Sequence, residues 1–233
     1  QNHDQVGNRG DGDRLTRHLD LEGLKLAAAA VLLSPFLPLL FMGEEYGETA
    51  PFQYFVSHTD PALIAAVRAG RREEFAAFDW QGEIPDPQDE STFRRSRIDI
   101  EQRRQGRHAL LYGFYCRLIA LRKKNPCLGT VNRLSCTVSH AGEGQVLLVT
   151  REAGGRRSLC ILNFGTEPQA VDLPGADDWE VLLDSSGSEW GGPGVLSRRK
   201  GKEAGGSTYG TNPMSAAVFL TENQLHAIPA QSP

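Results

Sequence analysis

The chain has 233 residues, of which 39% are hydrophobic and 23% are charged, with a formal net charge of -4 at pH 7. This length allows one large or two small domains with real cores. The mild acidity gives no electrostatic reason to expect nucleic acid or an anionic membrane as a partner. The apolar run over residues 27–42 is broken by Ser34, Pro35 and Pro38, so it does not predict a membrane span.

The four cysteines indicate a cellular compartment. Cys116, Cys127, Cys136 and Cys160 share no metal-ligand spacing, and none belongs to a CxxC pair. Scattered cysteines in a chain of this size are typical of reduced, mostly buried thiols. The sequence therefore predicts a cytoplasmic protein.

The chain opens on nine residues, QNHDQVGNR, in which Val6 is the one apolar side chain. A segment that can bury so little predicts a loop that presents polar groups to a ligand. Its donors and acceptors suit a polyhydroxylated substrate such as a sugar. Composition alone leaves a solvated polar terminus equally open. Without an initiator Met or a signal peptide, the opening predicts the C-terminal part of a longer enzyme.

The next segments follow the order of the last elements of an α/β barrel. Asp20 is the predicted cap of a helix over 21–33, which ends before Pro35. Residues 36–42 carry no polar side chain, which predicts a strand buried on both faces, although Pro38 is unusual there. The acidic, glycine-containing segment 43–48 is typical of a functional loop at the barrel rim.

Two further helices are predicted before residue 125. Asp60 and Pro61 predict the start of a helix to about Ala69, with Gly70 available as its C-cap. Residues 71–78 are predicted either to extend this helix or to restart it. Residues 81–107 predict a long irregular loop. A strong amphipathic pattern predicts a helix over 108–124.

From about Leu128 the period of the pattern changes to that of strands. Short β-rich runs, separated by Gly and Pro turns, predict a small antiparallel β-sandwich. The predicted strands are 134–139, 145–151, 157–164, 169–173, 179–183 and 215–220. The sequence thus predicts two domains, 1–127 and 128–233.

The opening tripeptide Asn2-His3-Asp4 resembles a motif of the α-amylase superfamily of glycoside hydrolases. The extended series resembles the maltooligosyltrehalose trehalohydrolase family within it. That series consists of QNHDQVGNR, LSPF at 33–36, FMGEEYGE at 41–48, PF at 51–52, YF at 54–55, DP at 60–61, RREEF at 71–75 and IPDPQ at 84–88. The ordered series is a far stronger signal than the tripeptide alone.

The resemblance implies an α/β fold, in which the C-terminal part of a TIM (β/α)8 barrel precedes the small antiparallel β-sandwich. It also implies retaining hydrolysis through an oxocarbenium-like transition state. Asp4 would be the carboxylate that stabilises this transition state, while the nucleophile and the general acid would lie upstream of Gln1. No cofactor and no metal are implied.

The same resemblance assigns substrate contacts to Asn2, His3, Gln5, Val6, Gly7 and Asn8. His3 would donate to a hydroxyl of the sugar that Asp4 binds, and Gly7 would let the backbone approach the sugar closely. Arg9 is predicted either to contact sugar or to anchor a carboxylate, and both readings stay open.

Other polar and aromatic residues have competing interpretations. Glu44 and Glu45 are paired carboxylates on the predicted rim, where ordering the loop is favoured over catalysis. The aromatic residues predict either sugar platforms or packing. They are Tyr46, Phe52, Tyr54, Phe55, Trp80, Trp179 and Trp190.

The sequence therefore predicts part of an enzyme that cleaves the α-1,4 bond next to the terminal trehalose of maltooligosyltrehalose or a related α-glucan. The fragment alone is expected to be inactive. The alternatives are a 1,4-α-glucan branching enzyme, which shares the rim sequence, a non-catalytic carbohydrate-binding module, and a subunit that completes a partner's barrel. Oligomeric state is not predicted.

Overall fold

The computed structural model describes residues 1–76, 84–129, 133–174, 179–196, 198–200 and 207–222. These residues form two compact units. One unit consists of Gln1–Asp20 and the described part of Leu39–Tyr112, and the other of Leu21–Pro38 and the described residues from Gly113 onward. The predicted domain boundary between 127 and 128 stays a prediction, because the compact units are discontinuous along the chain.

Six α-helices are present in the described residues. They are α1 (His3–Gly7), α2 (Leu21–Leu33), α3 (Pro61–Ala76), α4 (Glu90–Arg95), α5 (Gly106–Lys124) and α6 (Pro126–Gly129). Helix α2 has the predicted bounds, and α5 begins two residues earlier than predicted. Helix α3 continues through Gly70, the predicted C-cap, to Ala76. Its start is as predicted, since the Asp60 carboxylate accepts from the backbone N–H of Ala62 at 2.8 Å.

The β-rich part forms two antiparallel sheets, as predicted. Its strands are β1 (Cys136–Ala141), β2 (Val146–Ala153), β3 (Arg156–Asn163), β4 (Gln169–Asp172), β5 (Glu180–Asp184), β6 (Arg198–Lys200), β7 (Ser207–Thr211) and β8 (Ser215–Glu222). The five-stranded sheet has the order β1-β2-β3-β8-β5, and the three-stranded sheet has the order β4-β7-β6. Strands β6 and β7 were not predicted.

The core of this sandwich lies between the inner faces of the two sheets. Alternate residues of β2 and β3 point into it from the larger sheet, and β4 and β7 contribute from the smaller one. The core residues include Val146, Leu159, Ile161, Val171, Trp179, Tyr209 and Phe219. The β-rich runs between Gly and Pro turns explain why these strands could be predicted from the sequence.

Helix α2 belongs to the same compact unit because cations hold its C-terminal end. Arg151 is fully buried and donates to the carbonyls of Leu33 at 3.1 Å and Leu128 at 2.9 Å. Arg122 donates to the carbonyls of Leu32 and Ser34. The last carbonyls of a helix lack intrahelical partners, so these guanidinium groups satisfy them and complement the helix dipole.

The strand predicted over residues 36–42 was wrong. Before Cys136 the described residues contain no strand, and this segment is irregular. Leu37 is 84% exposed, and Phe36, Leu39 and Met42 are exposed as well. A central barrel strand needs hydrogen-bonded neighbours on both sides, the described residues supply none here, and Pro38 removes one donor. The barrel itself therefore stays a prediction.

Candidate functional site

The opening motif forms a short helix, α1, rather than the predicted loop. The Asn2 side chain accepts from the N–H of Gln5 at 2.9 Å, and the Gln5 side chain accepts from the N–H of Asn2 at 3.1 Å. This reciprocal pair is a capping box, which satisfies two N–H groups at the helix start. Asn2 and Gln5 were predicted to bind substrate. The structure uses one oxygen of each for the cap, and their contact with substrate stays a prediction.

His3 and Asp4 are the open groups of the motif. Their side chains are 71% and 70% exposed, and His3 Nε2 lies 3.1 Å from Asp4 Oδ1. Both residues stand in the first turn of α1, where a carboxylate is favoured by the N–H groups of the helix start. The arrangement leaves the second carboxylate oxygen of Asp4 available to an incoming hydroxyl.

Val6, Gly7 and Asn8 complete the predicted set. Val6 is 2% exposed, so only its backbone is available to a ligand. A Cβ added at Gly7 would lie 3.8 Å from the Phe52 ring, which is an ordinary contact, so packing does not require glycine there. Asn8 is exposed and ends the helix. The contacts of these three residues with sugar stay predictions.

Sequence reasoning missed Arg71 as a residue of this region. Its guanidinium donates to the carbonyl of Gly7 at 3.1 Å and lies over the rings of Tyr54, at 4.9 Å, and Phe75, at 4.6 Å. It thereby ties α3 to the end of the motif helix. The signal was weak, because Arg71 is one of several charged residues on α3, but cation–π pairing with nearby aromatics is common for arginine.

Arg9 anchors a carboxylate, which favours one of its two predicted roles. Its guanidinium lies 3.0 Å from Asp13 Oδ2 and 2.9 Å from His18 Nε2, and His18 also pairs with Asp13. Burial alone would raise the pKa of Asp13, but the hydrogen bonds from Arg9 and His18 lower it below its ordinary value. These contacts hold the loop that follows the motif.

The acidic segment 43–48, called the rim loop below, is held in its conformation by hydrogen bonds to its own carboxylates. The Glu44 carboxylate accepts from the N–H of Phe41, and that of Glu45 from the N–H of Gly43, each at 3.0 Å. Glu48 is fully buried. It accepts from the N–H groups of Thr49, Ala50 and Asp99 and from the hydroxyl of Tyr46, at 2.7–3.0 Å. Burial, and next the bond to Glu48, raise the pKa of Tyr46.

The rim aromatics pack mainly against one another. Phe41, Phe52, Phe55 and Phe93 form an edge-to-face series with centroid distances of 5.1, 6.1 and 5.3 Å. Tyr54, which is exposed, keeps one ring face against Arg71. Packing is therefore the main role of most of these rings, as one of the two interpretations predicted.

The tryptophans of the β-rich unit also take packing roles. Trp179 lies in the sandwich core and donates to the carbonyl of Pro174 at 3.0 Å. Trp190 packs edge-on against Phe114 at 5.4 Å. Trp80 lies outside the described residues.

Among the helices of the described residues, none is long and apolar enough to cross a lipid bilayer.

Three comparisons bear on what this arrangement is for. Residues 133–207 match the family model described as a domain of unknown function, DUF3459. A malto-oligosyltrehalose trehalohydrolase from Rhizobium sp. (strain M-11) is 43% identical over 190 residues, which are 79% of this chain and 31% of the relative. One from Arthrobacter ramosus is 50% identical over 127 residues, which are 54% of this chain and 22% of the relative. The chain thus spans about a third or less of the length of these curated relatives.

Solved structures agree on the fold. A candidate α-amylase from Salmonella typhimurium has a TM-score of 0.73 and 33% identity, covering 95% of this chain and 34% of its own. An α-amylase from H. orenii has a TM-score of 0.57 and 19% identity, covering 95% of this chain and 38% of its own, and therefore speaks to the fold alone.

These matches, together with the motif helix and the antiparallel sandwich, define the class that the chain resembles: its relatives are glycoside hydrolases of the α-amylase family. Within that class its relatives at 38–50% identity are named malto-oligosyltrehalose trehalohydrolases. The resemblance predicted from the ordered motifs is thereby confirmed.

Proposed function

We propose that this chain is part of a retaining glycoside hydrolase that cleaves the α-1,4-glucosidic bond next to the terminal trehalose of malto-oligosyltrehalose and releases trehalose. The observation that carries the proposal is the exposed His3–Asp4 pair on a capped helix, in a chain whose relatives bear the trehalohydrolase name. Upstream residues would complete a (β/α)8 barrel.

Asp4 acts by binding the transition state more tightly than the substrate. As the sugar ring flattens and positive charge develops, a carboxylate that grips its hydroxyls and faces the charge gains strength. Hydrogen bonds to an ionised group are the strong type. His3, whose Nε2 lies 3.1 Å from the Asp4 carboxylate, is the donor to a neighbouring hydroxyl of the same sugar.

Asp4 alone cannot perform the reaction. A retaining mechanism needs one carboxylate as nucleophile and another carboxyl group as acid, about 5–5.5 Å apart. Glu44, Glu45 and Glu48 are committed to hydrogen bonds within the rim loop. We assign the nucleophile and the acid to upstream residues, and we expect the 233-residue chain by itself to release no trehalose.

The test is a product assay on two substrates, malto-oligosyltrehalose and amylose, with the full-length protein and with the 233-residue chain. Trehalose from the first substrate with little action on the second is expected from the full-length protein only. New α-1,6 branches in amylose would mean a branching enzyme instead. Turnover by the 233-residue chain, with contamination ruled out, would contradict the upstream assignment.

A further inference from the structure

A cleft in the same compact unit as the motif helix is built from residues that the catalytic proposal does not use. It has a volume of about 430 Å³ and is lined by Asp11, Asp13, Arg14, Thr16, Thr49 and Gln53, among others. Asp4 does not line it. The two chain segments that line it, 11–17 and 49–53, are joined by a hydrogen bond from the N–H of Phe52 to the carbonyl of Gly12 at 2.7 Å. Its size is within the range of small-molecule sites, roughly 300–1,000 Å³.

Two buried polar atoms of this cleft have no partner in the structure. Arg14 is 2% exposed; its Nε donates to the carbonyl of Ala50 and its Nη1 to that of Met42, each at 2.7 Å, while its Nη2 is unpaired. Gln53 is 8% exposed, and its Oε1 is unpaired. Buried polar groups are almost always hydrogen-bonded, so one open donor and one open acceptor in one cleft indicate a missing ligand.

The charges around the cleft decide what kind of ligand fits. Arg17 pairs with Asp11 at 3.2 Å, and Arg9 pairs with Asp13 at 3.0 Å. The carboxylates that line the cleft repel an anion, and the Arg14 guanidinium repels a cation. A neutral group that both accepts and donates fits these charges, and a hydroxyl is such a group.

A second cleft, of about 320 Å³, shares the lining residues Asp11 and Gln53 with the first. Its walls add the hydroxyl residues Ser91 and Thr92 and the charged Asp89 and Arg95. Thr92 already donates to the carbonyl of Asp86 at 2.7 Å, so its oxygen keeps acceptor capacity. Two adjoining polar clefts can hold consecutive units of a chain-like polyhydroxylated ligand.

We propose that these clefts form an accessory glucan subsite, where Arg14 donates to, and Gln53 accepts from, hydroxyls of a glucosyl unit away from the bond that is cut. The identity of the sugar rests on the proposed function, whereas the need for a neutral hydroxyl ligand rests on the two unpaired atoms. Because such binding stabilises the bound substrate and the transition state equally, it lowers KM and leaves kcat unchanged.

The test replaces Gln53 in the full-length protein. Gln53→Met keeps the length of the side chain, removes the acceptor, and disturbs no side-chain hydrogen bond of the described residues, whereas a change at Arg14 would break two bonds to backbone. We expect KM for a long malto-oligosyltrehalose to rise about 5- to 10-fold, as for one lost hydrogen bond, with kcat within about 2-fold. The melting temperature should stay equal or rise, because an unpaired buried amide is removed. Gln105→Met, at an exposed position outside the clefts, is the matched control and should change none of these values.

The outcomes separate this proposal from the proposed function. If the wild-type protein releases trehalose and Gln53→Met has an unchanged KM, the subsite is wrong and the function stands. A melting temperature lowered by several degrees would show that another part of the protein pairs with the amide, which also overturns the subsite. If the wild-type protein releases no trehalose, calorimetric titration with maltoheptaose decides: weaker binding by Gln53→Met supports the subsite, and equal or absent binding refutes it.

Discussion

Two acidic regions of the same compact unit use their carboxylates in opposite ways. In the motif helix, the Asp4 carboxylate is mostly exposed and pairs with His3. In the rim loop, Glu48 is fully buried and accepts four hydrogen bonds at 2.7–3.0 Å. A carboxylate has roughly four acceptor positions, so Glu48 has none left for a ligand while Asp4 has most of its own. Unused hydrogen-bonding capacity, and not acidity, distinguishes a binding group from a structural one.

The comparison also explains the conformation of the rim loop. Gly43 and Gly47 have φ values of 87° and 70°, in the left-handed region, and the turn between them is closed by the N–H of Glu48, which donates to the carbonyl of Gly43 at 2.8 Å. The N–H groups that bond the Glu48 carboxylate come from Thr49 and Ala50, which follow the turn, and from Asp99. The motif helix has the opposite design, because its cap satisfies the helix start with Asn2 and Gln5 and leaves Asp4 free.

The largest effect is expected at Asp4. In the full-length protein Asp4→Asn keeps the shape of the side chain but removes the charge, so trehalose release should slow by about 10²-fold or more, mainly in kcat. The exposed position predicts an unchanged melting temperature. Steady-state kinetics and a thermal melt check both parts. His3→Ala should have a smaller effect on kcat, and wild-type turnover in Asp4→Asn would remove the assignment.

Glu48→Gln should show the reverse pattern, a loss of stability. The amide places an NH2 group against backbone N–H donors, so we expect the free energy of unfolding to fall by about 2–3 kcal/mol. Chemical denaturation measures it. Glu101→Gln is the control, because that side chain is exposed and pairs only with Arg104, so its effect should be below about 0.5 kcal/mol. Equal effects of the two substitutions would contradict the structural role of Glu48.

The sequence predicted the elements that local pattern determines. Helix α2 has the predicted bounds because its apolar pattern and Pro35 both act locally, and six strands of the sandwich follow from β-rich runs separated by Gly and Pro turns. The strand predicted over 36–42 was wrong because strand pairing depends on distant partners. Strand β7 was missed because Ser207–Thr211 offers one buried aromatic, Tyr209, and little alternation.

The candidate site was predictable only in its polar residues. The motif indicated His3 and Asp4, whereas the contact of Arg71 with Gly7 joins residues 64 positions apart and has no local signal. The unpaired atoms of Arg14 and Gln53 were likewise invisible, because pairing in three dimensions decides which polar groups remain open. Whether the acceptor positions of a carboxylate are all hydrogen-bonded within the protein, as they are in Glu48, depends on the fold.

The glycines of this unit provide a smaller test of the rim loop. Gly43→Ala would force a left-handed backbone on a residue with a Cβ and bring that atom to 2.7 Å from the Cβ of Glu48. We expect a loss of about 1–2 kcal/mol. Gly70→Ala, inside α3 with no atom within 4 Å of the new Cβ, should instead gain about 0.5–1 kcal/mol. Denaturation midpoints of the two variants should therefore shift in opposite directions.

The smallest effect is expected at Asp13, whose partners Arg9 and His18 are about half exposed. The pKa of Asp13 is lowered in the folded protein, so its contribution to stability is present above the unfolded value of about 3.9 and is lost as pH falls through the lower, folded value. Asp13→Asn should therefore cost below about 1 kcal/mol at pH 7 and nothing once the pH is well below 4. Urea denaturation of both proteins across pH 2.5–7 measures this. A difference that persists at the acid end would mean that Asp13 holds the loop by its shape and hydrogen bonds rather than by its charge, as a structural carboxylate like Glu48 does.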